Sequence, residues 1–149
     1  MQQRLDYQKA APDALKAMLG IEKYAANSGL EYSLYELIKT RASQINSCAF
    51  CLDMHTKDAR KAGETEQRLY ALSAWRETPF YTERERAALA WTEAVTEISK
   101  GGVSQELFEE TSKHFNEKEM VDLTMAVIAI NGWNRLAISF ATVPGTYNP

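Results

Sequence analysis

What most constrains this chain is the recurrence of its apolar residues. They fall at intervals of three and four, and each run is bracketed by residues that start or stop a helix. Pro12, a favoured first-turn residue, precedes Leu15, Met18, Leu19 and Glu22 on one face, and Asn27-Ser28-Gly29 closes that run. Ser33-Leu34-Tyr35-Glu36 has capping-box form and opens a second helix, in which Leu34, Leu37, Ile38, Arg41 and Ile45 keep a period of about 3.6 up to Asn46-Ser47. A third helix is predicted from Ser47 or Cys48 to Ala62, with Gly63 as a left-handed terminator. Thr65 can cap a fourth helix carrying Leu69, Leu72 and Trp75, ended ahead of Pro79. Thr82-Glu83-Arg84-Glu85 is a further capping box, followed by Ala88, Trp91, Val95 and Ile98 before Gly101-Gly102. Ser104 begins a short segment with Leu107, Phe108, Thr111 and Phe115. Asn116, with Glu119 three residues on, begins the last and most apolar one, which extends toward Phe140 with Gly132 as a kink position, before Pro144-Gly145. Period-two alternation is absent. The expected fold is all-α, a bundle of about six to seven helices.

With 149 residues the chain fits one domain, residues 1–149, and no repeat or low-complexity linker divides it. Hydrophobic residues at 45% and charged residues at 25% are those of a globular domain, which sets disorder aside. A net charge of −3 without any Lys/Arg cluster disfavours nucleic acid as a partner. The stretch Met120–Ile130 is shorter than the roughly 20 residues a bilayer requires, so no membrane span is expected. Being apolar on nearly every side, it belongs at a bundle centre or a subunit interface, and a homo-oligomer is expected. The N-terminus lacks the apolar run of a secretory signal, so a cytoplasmic location is expected.

Two cysteines, Cys48 and Cys51, stand out against this background. A disulfide scaffold is excluded by so low a count, and one Cys-x-x-Cys in a reducing compartment points to redox or metal chemistry. On a helix, Cys48, Cys51 and His55 share one stripe. A histidine one turn from a thiol can take its proton or, as imidazolium, favour the reactive thiolate, and a helix N-terminus shifts thiol ionisation in the same direction. A second cysteine at this spacing can close a disulfide on a sulfenic acid. Zinc lacks a fourth ligand, because His114 lies in a remote segment. Haem attachment requires histidine where Leu52 stands, and a thioredoxin fold requires a strand and sheet. The bland alternative is two buried small residues and a satisfied histidine. If the second and third helices form an antiparallel hairpin, Glu36 lies about 16 Å back along one axis and His55 about 12 Å along the other, near the same level. Glu36 also fits as the capping partner of Ser33, and on a helical wheel it falls opposite the apolar stripe, which by pattern alone favours a structural or solvated role.

Glu36 followed by Arg41-Ala42-Ser43-Gln44-Ile45-Asn46-Ser47-Cys48-Ala49-Phe50-Cys51-Leu52-Asp53-Met54-His55 resembles the core motif of the AhpD-like alkylhydroperoxidases of the carboxymuconolactone decarboxylase superfamily. Ile130-Asn131-Gly132-Trp133-Asn134-Arg135-Leu136 is similar to the second shared signature of that group, and the resemblance spans roughly Leu30 to Phe140. It implies an all-α, oligomeric fold, commonly a trimer or hexamer, that reduces organic hydroperoxides or peroxynitrite. It also implies Cys51 as the peroxidatic thiol, Cys48 as its disulfide partner, and His55 with Glu36 as the proton relay. Glu36 thereby rises above its capping role. Phe50 occupies a position where the best-known peroxidase members carry a histidine, so a relay here works without that imidazole. The decarboxylase branch lacks the cysteine pair, and decarboxylation is not expected.

The remaining residues are read as structural: His114 as a surface or helix-end histidine, Trp75, Trp91 and Trp133 as packing residues, and Arg135 as a partner of a carboxylate at an interface ahead of a substrate anion. Tyr32 and Tyr35 are placed to line an entrance to the thiols. The expected activity is thus a thiol-dependent peroxidase or disulfide reductase, without cofactor or metal, regenerated by an external dithiol or disulfide-reducing protein. A redox-sensing oligomer without efficient turnover is the alternative.

Overall fold

The computed structural model describes residues 2–149. Every regular element among them is helical: α1 (Tyr7–Ala10), α2 (Pro12–Ala26), α3 (Tyr32–Ile45), α4 (Ala49–Lys61), α5 (Glu66–Ala71), a 3-10 turn (Leu72–Glu77), α6 (Glu83–Thr96), α7 (Ile98–Gly101), α8 (Gln105–Ser112) and α9 (Glu117–Ser139). This exceeds the six to seven expected because α1 and α7 are single turns of four residues, too short to leave a periodic signature.

The caps act where a side-chain oxygen can reach the free backbone N–H groups of a first turn. Thr82 and Asn116 form full capping boxes with Glu85 and Glu119, and Thr65 and Ser104 cap α5 and α8. Ser33 does not cap. The helix α3 starts one residue ahead of it, with Glu31 at the N-cap, and the Glu36 carboxylate is turned inward instead of back to Ser33. Gly63 adopts a φ of 100° past the end of α4, as a left-handed terminator requires. The predicted fourth helix stops early: after Ala71 the chain tightens into the 3-10 turn, with Ala74 outside helical geometry. That change of course puts Trp75 into a core with Leu37, Leu72, Tyr81 and Leu89, and its indole N–H donates to Glu93 at 2.8 Å.

Helix α9 runs unbroken through Gly132, which does not interrupt it. Gly132 serves a close approach instead, since a Cβ there would lie 2.6 Å from the Met18 methyl of α2. The main core gathers Leu34 and Ile38 of α3, Ala88 and Trp91 of α6, and Leu123, Ala126 and Val127 of α9. Helix α4 packs on α3 as the second arm of a hairpin and touches α9 near its own N-terminus. The C-terminal segment folds back over α4: Gly145 N–H donates to Asp53, and the Tyr147 hydroxyl donates to Asp58 at 2.7 Å. Among the described residues no helix is long and apolar enough to cross a membrane.

Candidate functional site

The site begins at the turn between α3 and α4. Ser47 takes a left-handed φ of 56°, which lets the Cys48 N–H donate to the Ser43 carbonyl at 3.0 Å and places Cys48 at the N-cap of α4. Cys51 then falls in the first turn, and the two sulfurs approach to 2.7 Å as free thiols. Each cysteine is 1% exposed, enclosed with Ala42, Ile130 and Ala137, while Phe50 and Trp133 pack on the outside.

The two sulfurs are electrostatically distinct. The Cys48 thiol is pulled down to about 7, first by the hydrogen bond from Cys51, against the effect of burial, and further by the backbone N–H groups of Cys51 and Phe50 and the Asn134 side chain. Those N–H groups are the unsatisfied donors of a helix start, which favour negative charge. Cys51 is pushed up because it supplies the shared proton to Cys48, is buried, and faces the Cys48 charge. Asn134 is held by neighbours: its amide N–H donates to Ser43 at 3.0 Å, and its carbonyl oxygen accepts from Asn46 at 2.8 Å. Asn46 also donates to Asn131, whose own amide donates to Thr96 and to the Val127 carbonyl. The second sequence signature thus acts as a polar bracket that ties α9 to the thiol turn.

One turn along α4 from Cys51, His55 is buried and its Nδ1 lies 3.1 Å from Glu36 Oε2 across the α3–α4 hairpin. Glu36 is 1% exposed, so the solvated position favoured by its place on the helical wheel is overturned. The wheel places it correctly on α3, but that face of α3 is covered by α4. Burial pushes its carboxyl upward, yet the hydrogen bond with His55 and the charge of Lys39 outweigh it and hold Glu36 below the usual carboxylate range. Lys39 Nζ sits 2.6 Å from Glu36 Oε1 as a charge pair and 3.9 Å from Glu22 Oε1. Glu22 in turn accepts from the Tyr35 hydroxyl at 2.8 Å and the Trp133 indole N–H at 2.9 Å.

A cavity of about 310 Å³ opens over this array, with Phe50, Met54 and Trp133 as apolar walls and Lys39, His55 and Glu22 among its polar lining. Neither sulfur lines it. Trp133, read from sequence as packing, is therefore a wall of the site. A larger cavity of about 700 Å³ between α6, α8 and α9 is lined by Trp91, Phe108, Phe115 and Met120 and includes none of the residues of the thiol array.

Glu36, His55 and Asp58 present ligand atoms within 4.8 Å of one another. The Lys39 ammonium already faces that carboxylate, which opposes a metal cation there, and neither cysteine belongs to the cluster. His114 sits in the α8–α9 connection, where its carbonyl accepts from Arg84. Among the described residues the Arg135 guanidinium meets no carboxylate and donates to the backbone and side-chain oxygens of Asn131 at 2.9 Å. Tyr35 is buried, while exposed Tyr32 borders a neighbouring cavity with Asp58 and Tyr147. Sequence reading missed Lys39, Glu22, Asn46 and Asn134. The spacing of Lys39 one turn after Glu36 is the one signal that could have marked it.

A family model described as "Carboxymuconolactone decarboxylase family" matches residues 12–94. The chain is 48% identical over 139 residues to the uncharacterized protein YdfG of Bacillus subtilis, covering 93% of this chain and 95% of that one. The crystal structure of ATU0492 from Agrobacterium tumefaciens, a protein of unknown function named for an expected AhpD role in antioxidant defence, superposes with a TM-score of 0.94. Its identity is 46%, and the match covers 98% of this chain and all (100%) of that one. The debrominase Bmp8, solved with 2,3,4-tribromopyrrole, shares the fold at 20% identity and a TM-score of 0.82, over 93% of this chain and 74% of its own.

Proposed function

As the chain belongs to the carboxymuconolactone decarboxylase family and has its AhpD-like fold, we propose that it is a thiol-dependent peroxidase acting on organic hydroperoxides. The observation that carries the reading is a pair of free sulfurs 2.7 Å apart, one turn along α4 from an imidazole paired with a buried carboxylate. In this reading Cys51 transfers its proton to His55 Nε2, and its sulfur attacks the distal oxygen of the hydroperoxide. The O–O bond breaks, the alkoxide takes the proton from His55 and leaves as the alcohol, and Cys51 is left as a sulfenic acid. The Cys48 thiolate then attacks the Cys51 sulfur and expels hydroxide, so one thiol and one thiolate become a disulfide while the peroxide is reduced by two electrons. The ready ionisation of Cys48, whose thiol is pulled down to about 7, suits this second step and also regeneration. An external dithiol attacking Cys51 expels Cys48 as the better leaving thiolate. The protein acts as one domain and a homo-oligomer, in a reducing, cytoplasmic compartment where the dithiol form persists.

The test is stoichiometric consumption of cumene hydroperoxide by reduced protein. Wild type should consume one equivalent and form the Cys48–Cys51 disulfide. Cys51→Ser should abolish consumption, whereas Cys48→Ser should stop at a sulfenic acid trapped by dimedone. Consumption unaffected by either substitution rejects the mechanism.

A second reading is favoured by the burial of both sulfurs and the absence of either from the cavity wall. There the pair is a redox sensor whose disulfide changes assembly without multiple turnover. Light scattering of reduced and oxidised protein separates the two, because unchanged mass with rapid turnover eliminates the sensor.

A further inference from the structure

Lys39 is a buried titratable group that the thiol chemistry leaves unused. It is 5% exposed, one helical turn beyond Glu36 on α3. An ammonium so far from water is costly unless anions face it. Here Glu36 Oε1 lies at 2.6 Å and Glu22 Oε1 at 3.9 Å, and the Tyr35 ring lies beneath, 4.2 Å from the nitrogen to its centroid. The two oxygens of Glu36 are thereby divided, Oε1 to Lys39 and Oε2 to His55 Nδ1.

That division decides where the histidine carries its hydrogen. An ionised carboxylate only accepts, so Nδ1 must be the protonated nitrogen, and in the neutral ring Nε2 keeps its lone pair. His55 Nε2 is buried and lacks a hydrogen-bond partner among the described residues, which leaves it free to receive a proton. A neutral Glu36 could donate to Nδ1 instead, which would place the hydrogen on Nε2 and remove the acceptor. The charged and titratable groups facing Glu36 are Tyr32, Tyr35 and Lys39 from α3, His55 and Asp58 from α4, Glu22 from α2, and Tyr147 from the C-terminal segment. Asp58 and Glu22 are acids and oppose a charge on Glu36, and among these groups Lys39 is the fixed cation.

We propose that Lys39 is a positioning residue of the thiol site, whose ammonium keeps Glu36 an anion and so holds His55 in the tautomer with Nε2 free to take the Cys51 proton. Its consequence for turnover rests on the peroxidase reading, whereas the tautomer does not.

The experiment uses the full chain as wild type, Lys39→Met and Lys39→Arg, with folding checked by circular dichroism. The ring nitrogens of His55 are observed by 15N NMR, assigned against a His114→Gln variant, and single-turnover thiol oxidation by cumene hydroperoxide is followed against pH. In its neutral ring, wild type should show Nδ1 protonated and Nε2 bare. In Lys39→Met the pH below which the hydrogen moves to Nε2, and with it the acid limb of the oxidation profile, should shift upward by about one unit, a roughly tenfold loss of rate on that limb. Lys39→Arg should restore both. A folded Lys39→Met with an unchanged tautomer and acid limb overturns the proposal, as does a wild-type ring carrying its hydrogen on Nε2. The wild-type spectrum decides even if Lys39→Met fails to fold. If wild type consumes no hydroperoxide, the peroxidase reading fails while the ring spectrum still judges the role of Lys39.

Discussion

Cys48 and Cys51 are three residues apart and almost equally buried, yet their surroundings give them opposite tendencies. Cys48 caps α4 and receives N–H donors from the first turn and from Asn134, whereas Cys51 donates a hydrogen bond to the Cys48 sulfur and so holds its own proton more tightly. Alkylation by iodoacetamide, mapped by mass spectrometry, should therefore show Cys48 titrating with a midpoint of about 7 and Cys51 only at higher pH. Below that midpoint Cys48 is a thiol and its labelling slows. Asn134→Ala should raise the Cys48 midpoint by roughly half a unit to one unit, because a hydrogen bond to the charged form is lost. Labelling of Cys51 ahead of Cys48 would contradict this account. The cysteines and His55 were legible because their spacing is local. Lys39 and Asn134 were not, because what each does depends on partners far along the chain, Glu22 for one and Ser43 for the other.

At the scale of elements, the capping residues were the most legible feature. A cap is a local hydrogen bond between a side chain and the backbone three residues on, and Thr65, Thr82, Ser104 and Asn116 all make it. Asn116→Ala should destabilise the protein by about 1 kcal/mol in urea unfolding, since it removes one half of the box that starts α9. An unchanged midpoint would show that tertiary packing alone sets this helix start. The Ser33 pattern failed for a reason of the same kind. Glu36 has a choice between the N-terminal backbone of its own helix and the His55 and Lys39 groups, and a buried anion goes where it is matched by charge and hydrogen bonds. The 3-10 turn at Leu72–Glu77 was equally illegible, because its departure from α geometry follows from the position Trp75 takes in the core.

In the whole molecule, α9 is central, packed against α2, α3, α6 and α8, yet Val121 and Ile128 stand 56% and 45% exposed about two turns apart, with Phe108 of α8 also exposed. These residues border the apolar cavity of about 700 Å³ or continue its α9 wall, and they are where a second copy would bury surface in the proposed oligomer. Light scattering should report a mass that is a multiple of 16.8 kDa, and Val121→Glu combined with Ile128→Glu should lower it toward the monomer with the fold intact. A monomeric wild type would remove oligomerisation from the proposal.

The helical class, most helix boundaries and the cysteine–histidine stripe were determined by the sequence itself, since each rests on interactions within a few residues of the chain. The tertiary structure decided which face of α3 meets α4, and with it the conversion of Glu36 from an outward-facing carboxylate to a buried anion held between Lys39 and His55. Burial and charge pairing are properties of surroundings, and those surroundings exist only once α2, α3, α4 and α9 have packed together.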